Sequence, residues 1–84
     1  MTLRVSVLGA GSFGTTIGHL SAGNTPTMLW CRREETADEV NKAHTNDRYL
    51  KGYALNPDLR ATASIEEAVS GADVVVMGVP SHGF

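Results

Sequence analysis

The chain has 84 residues, 42% of them hydrophobic and 19% charged, with a formal net charge of −2 at pH 7. That describes one small globular domain and gives no electrostatic case for nucleic acid or an anionic membrane as partner. A single cysteine, Cys31, excludes an intramolecular disulfide; with no basic-then-apolar leader and no apolar run of ~18 residues, the sequence reads as soluble and cytoplasmic.

Residues 4–8 are apolar nearly throughout and predict a parallel strand covered on both faces. Gly9-Ala10-Gly11-Ser12-Phe13-Gly14 follows, and a helix is expected over residues 12–21. Ser12 is placed to cap that helix, and Phe13, Ile17, Leu20 and Ala22 fall mostly at helical spacing. Strand, glycines, helix is the order in which a main chain wraps a pyrophosphate. Gly9 permits the tight turn with φ > 0, Gly11 leaves room for phosphates, and Gly14 lets the helix sit close to the strand. The N–H groups at the helix start would hold the negative charge. Gly18, four residues beyond Gly14, suggests close packing on a sheet. Gly23 ends the helix and Pro26 prevents its continuation.

Thr27 to Cys31 predicts a second strand that ends directly at Arg32-Arg33. Thr36-Ala37-Asp38-Glu39 matches a capping box, so a helix is expected over residues 37–45 with Ala37, Val40 and Ala43/His44 inward. Asn46 to Asp58 is rich in Asn, Asp, Gly and Pro and reads as an excursion anchored by Tyr49, Leu50, Tyr53 and Leu55. Arg60 to Ala63 is a short third strand. Ser64-Ile65-Glu66-Glu67 forms a second capping box for a brief helix stopped by Gly71, and Ala72 to Val79 is a strand apolar on both faces.

The order β-α-β-α-β-α-β with right-handed crossovers gives strand order 3-2-1-4, the first half of a doubly wound, parallel α/β sheet of Rossmann type. A ligand belongs where the carboxyl ends of the first and fourth strands diverge, between Gly9–Gly14 and Val79-Pro80-Ser81. The length accommodates only one of the two halves of a dinucleotide fold, so residues 1–84 read as a partial, truncated domain. In that order the Val74 to Val79 strand is an exposed apolar edge, for which self-association, aggregation or weak folding is expected.

The end of the second strand normally meets the adenosine ribose, where a carboxylate accepts from a 2′-hydroxyl and an arginine accommodates a 2′-phosphate. Arg32 stands 18 residues beyond Gly14, followed by Arg33, with no acidic residue before Glu34. Guanidinium groups pair bidentately with phosphate, so NADP(H) is expected over NAD(H), which remains possible.

Together these residues resemble the bacterial-type NAD(P)-dependent glycerol-3-phosphate dehydrogenases. The matching stretches are Leu8 to Thr15, Leu29 to Arg33, Asn46 to Leu50 and Ala72 to Ser81. The resemblance implies an oxidoreductase that interconverts dihydroxyacetone phosphate and glycerol 3-phosphate, the entry to phospholipid backbones. It implies that Ser12 and the backbone of Phe13 meet the pyrophosphate, Arg32 and Arg33 the 2′-phosphate, and Tyr49 the cofactor's periphery. Lys51 stands where that family usually carries proline, and Gly18-His19 and Asn24-Thr25-Pro26 depart from its usual helix. The family's catalytic lysines and its catalytic helical domain fall beyond residue 84, so no catalytic residue is assigned and this chain alone is expected to be inactive. Other Rossmann dehydrogenases, such as ketopantoate reductases or nucleotide-sugar dehydrogenases, and a non-catalytic nucleotide-binding fragment are the alternatives.

The remaining reactive residue types lack the company that chemistry needs. His19, His44 and His82 have no carboxylate or cysteine at ligand spacing, so no metal site is expected. Cys31 reads as a small buried residue and Tyr49 equally as a loop anchor. Ser81, His82 and Asp73 lack a nucleophile elbow, and Glu34, Glu35, Glu66 and Glu67 read as helix-start charges.

Overall fold

The computed structural model describes residues 3–78. The elements among them run β1 (Val5–Leu8), α1 (Ser12–Ala22), β2 (Thr27–Trp30), α2 (Glu34–Ala43), β3 (Arg60–Thr62), α3 (Ile65–Val69) and β4 (Val74–Met77). The strands form one sheet in the expected order β3-β2-β1-β4. All pairings are parallel: Val5 to Leu8 lies against Thr27 to Trp30 on one side and Val74 to Met77 on the other. Met28 to Trp30 pair with Arg60 to Thr62. Each strand is shorter than the sequence pattern suggests, although the Cys31 N–H still donates to the Thr62 carbonyl at 2.8 Å. Asp73 fixes the entry to β4, its carboxylate accepting from the Arg4 N–H at 2.9 Å. Val79, Pro80, Ser81 and His82 lie outside the described residues.

Alternation along the strands sorts the two faces. Val7 and Leu29 point to one side and are wholly buried, with Val40, Leu55 and Leu59 in the same cluster. On the other side the Ser6 hydroxyl donates to the Ala68 carbonyl of α3. The short α3 packs on β1, β2 and β3. Val75, which pairs laterally with Ser6, and Met77, which pairs with Leu8, are 46% and 59% exposed. β4 is thus the exposed apolar edge that the strand order predicts: its sequence suits a central strand, but here it is an edge with one face open.

Several local expectations are corrected. The inner face of α1 is Gly14, Thr15, Gly18 and Ala22, whereas Phe13 and Leu20 are exposed. Small residues face inward because the helix approaches closely: a Cβ on Gly18 would lie 3.2 Å from a Leu59 methyl. The Thr36–Glu39 capping box does not form, because α2 already begins at Glu34, with Arg33 in extended backbone as its cap and Glu34 and Glu35 in the first turn. Glu39 instead ties down the chain after the helix, accepting from the Thr45 hydroxyl at 2.7 Å and the Asp47 N–H at 2.9 Å. Ser64 does cap α3, accepting from the Glu67 N–H, but the reciprocal half of the box is missing, because the Ser64 N–H donates to the Thr62 hydroxyl at 3.1 Å. In the 46–58 excursion the anchors are Leu55 and half-buried Leu50; Tyr49 and Tyr53 are exposed.

Candidate functional site: an arginine-lined cleft at the carboxyl ends of the strands

The glycines after β1 act in three different ways. Gly9 sits at φ 115°, a conformation that L side chains rarely adopt. Gly11 caps α1 with no side-chain cap bond, and a Cβ there would meet nothing within 4 Å. A Cβ on Gly14 would fall 1.9 Å from the Gly9 carbonyl oxygen, so only glycine allows this contact between helix and strand. Ser12 is thus the first helical residue rather than the cap. The first helix-closing bond runs from the Thr15 N–H to the Gly11 carbonyl at 2.9 Å, and the N–H groups before it have no intrahelical partner.

Gly78 completes the contact from β4. A Cβ on it would stand 2.8 Å from Gly14 Cα and 2.9 Å from the Gly9 oxygen. Sequence reading treated Gly78 only as part of a strand. A glycine interrupting a run of valines signals a close approach by another backbone, and here that backbone is the loop.

Gly9, Gly11 and Gly78 line a cleft of about 500 Å³ together with Arg32, Arg33, Arg48 and Tyr49. Among the described residues, three arginines and no carboxylate line it. Arg32 and Arg33 are exposed, so both guanidinium groups are free to meet a ligand. Arg48, not singled out from sequence, lies over the Tyr49 ring with its guanidinium carbon 6.0 Å from the centroid, a cation–π contact. Ser12 and Phe13 are exposed at the start of α1, outside the cleft's lining, and Gly14 is buried behind it.

Cys31 is wholly buried at the base of the cleft, and burial pushes its thiol from 9.0 up to about 12. It is a packing residue, because the thiolate form that would attack is suppressed. His19 accepts from the Asn56 N–H through Nδ1 at 2.8 Å and His44 ends α2 in the left-handed region at φ 57°; neither lines the cleft. A second cavity of similar volume lies at the amino ends of the strands, its lining including both Arg4 and Arg60 and Asp58 and Glu67. Its mixed charge and position opposite the switch point make it the poorer anion site.

Residues 4–84 match a family model described as NAD-dependent glycerol-3-phosphate dehydrogenase N-terminus. The chain belongs to that family. A glycerol-3-phosphate dehydrogenase (NAD(P)+) from Mycobacterium avium is 54% identical over 82 residues, which are 96% of this chain and 24% of that protein. One from Acinetobacter baumannii is 48% identical over 83 residues, 98% of this chain and 23% of that protein. Among solved structures, glycerol-3-phosphate dehydrogenase from Saccharomyces cerevisiae superposes with a TM-score of 0.88 at 26% identity, covering 98% of this chain and 27% of that one. The Plasmodium falciparum enzyme gives 0.82 at 26% identity, covering 90% and 24%. The chain thus spans about a quarter of the length of the curated glycerol-3-phosphate dehydrogenases it matches. Among the described residues no helix is long and apolar enough to cross a membrane, and no group of three or more His, Cys, Asp or Glu could hold a metal ion.

Proposed function

We propose that this chain forms the dinucleotide-binding part of a glycerol-3-phosphate dehydrogenase that prefers NADP(H) and accepts NAD(H). The observation that carries the reading is the union of a glycine loop, open at Gly11, with an arginine-only charge lining in one cleft. The residues fit the cofactor. Gly9, Gly11 and Gly14 allow the pyrophosphate to reach the main chain, and the free N–H groups of Ser12 and Phe13 donate to it at the positive end of α1. Arg32 and Arg33 pair with a 2′-phosphate, and Tyr49 covers the cofactor's periphery. When bound, the nicotinamide would donate a hydride to dihydroxyacetone phosphate in its reduced form and accept one from glycerol 3-phosphate in its oxidised form. The residues named here bind and orient it, and none of them moves a proton on the substrate. Feeding phospholipid backbones in the cytoplasm fits that activity. The open, uncharged β4 edge fits self-association.

Fluorescence titration with NADPH and NADH tests the preference. Each charge-assisted hydrogen bond to the 2′-phosphate contributes about 1.5–3 kcal/mol, so NADPH is expected to bind at least about tenfold more tightly. Arg32→Asp narrows or reverses that ratio, and tighter NADH binding by the unaltered protein contradicts it.

A further inference from the structure

Asn46 is wholly buried, although it opens a polar-rich excursion in which Asp47, Arg48 and Tyr49 are exposed. Its Nδ2 donates to the Ala10 carbonyl at 2.9 Å and to the Thr15 hydroxyl at 2.9 Å. The Thr15 hydroxyl, also wholly buried, donates in turn to the same Ala10 carbonyl at 3.2 Å. Both lone pairs of that carbonyl are therefore occupied from inside the protein. A carbonyl can only accept, which fixes the amide with nitrogen toward Ala10. Asn46 Oδ1 is left buried with no hydrogen-bond partner within the protein, a cost that the two bonds made by Nδ2 have to offset.

The consequence for the cleft follows from peptide geometry. In a trans peptide the carbonyl and the following N–H point in opposite directions. Holding the Ala10 carbonyl inward therefore turns the Gly11 N–H away from that buried network, and Gly11 lines the cleft. Ala10 is flanked by Gly9 and Gly11, so the local chain offers little resistance to flipping this peptide. A flipped peptide would present an oxygen where a phosphate needs a donor. The main chain of Asn46 acts on the opposite wall. Its carbonyl accepts from the Tyr49 N–H at 3.1 Å and the Leu50 N–H at 2.7 Å, which sets the turn carrying Arg48 and Tyr49.

We infer that Asn46 is a positioning residue that, with Thr15, locks the Ala10–Gly11 peptide in the phosphate-accepting orientation and joins the glycine loop to the Arg48–Tyr49 wall. The inference rests on the proposed dinucleotide site and extends it to residues that do not touch the ligand. It requires the loss to fall on ligands carrying the pyrophosphate and to spare those read by the arginines alone.

The experiment is calorimetric titration of the protein and its Asn46→Leu variant with NADPH, NADH and adenosine 2′-monophosphate. NADPH and NADH are expected to weaken together by about tenfold or more, their ratio unchanged, because both hydrogen bonds of Nδ2 and the donor direction are lost. Adenosine 2′-monophosphate, which has no pyrophosphate, keeps its affinity. Thr15→Val removes one of the two donors with little change of shape and weakens both dinucleotides by a smaller factor, which Thr15→Ser restores; this pair decides the matter if Asn46→Leu does not fold. Unchanged dinucleotide affinity in a folded variant overturns the lock alone, as does a parallel loss of adenosine 2′-monophosphate. Failure of the unaltered protein to bind either dinucleotide overturns the cofactor site itself.

Discussion

Gly11 and Gly14 are three residues apart in one loop, yet they answer to different demands. Gly14 serves the fold: its missing Cβ makes room for the Gly9 carbonyl at what would be 1.9 Å. Gly11 answers to no such contact, since a Cβ there would meet nothing within 4 Å and its φ of −70° suits any residue; the proposed phosphate is what asks for a glycine there. Gly14→Ala is therefore expected to cost about 3 kcal/mol or to prevent folding, as overpacking against backbone does. Gly11→Ala should melt like the unaltered protein while weakening NADPH, because its methyl occupies the space kept for phosphate. Chemical denaturation beside cofactor titration separates the two effects. Cys31 gives a pH signature at the same scale. Its thiol is protonated in both folded and unfolded chains below pH 9.0, and above that only the unfolded chain loses the proton until about pH 12. Its contribution to stability is thus complete below pH 9.0 and is lost as pH rises, by up to about 1.4 kcal/mol per pH unit. Urea unfolding at about pH 8 and about pH 10 should show a smaller decline in Cys31→Ala than in the unaltered protein.

At the level of elements, legibility depended on whether the signal was local. The glycine spacing, the valine run and the Ser64 cap act within a few residues, and each reads correctly. The inward face of α1 did not, because apolar periodicity pointed to Phe13 and Leu20, whereas close approach selects Gly14, Thr15 and Gly18. Thr36–Glu39 has the letters of a capping box, but Glu34 and Glu35 start α2 earlier and free Glu39 to hold Thr45 and Asp47. Asn46 was legible only as a turn residue, since its partners Ala10 and Thr15 are more than thirty positions away. Arg48 was hidden in the same way. β4 shows a sequence suited to an interior strand in an edge position, with Val74 40% and Val75 46% exposed. Edges of this kind pair with one another unless a charge interrupts them. Light scattering is expected to show concentration-dependent association that Val75→Lys reduces; a monomer at all concentrations would contradict this.

On the scale of the whole molecule, the two faces of the sheet are unequal. α1 and α2 close one face over Val7, Leu29 and Val40, while α3 leaves Val75 and Met77 uncovered on the other. The carboxyl ends of the strands carry the glycine loop and the arginines, and the amino ends carry the mixed-charge cavity around Arg4, Asp58, Arg60 and Glu67. The central claim is that the first of these ends binds a dinucleotide. Amide chemical-shift mapping during titration with NADPH tests it most directly. The expected perturbations centre on Gly9 to Gly14, Arg32 and Arg33, and Tyr49, with the Gly11 amide moving most. Perturbations centred on Arg4, Thr27, Asp58 and Arg60, with Gly11 unmoved, would contradict it.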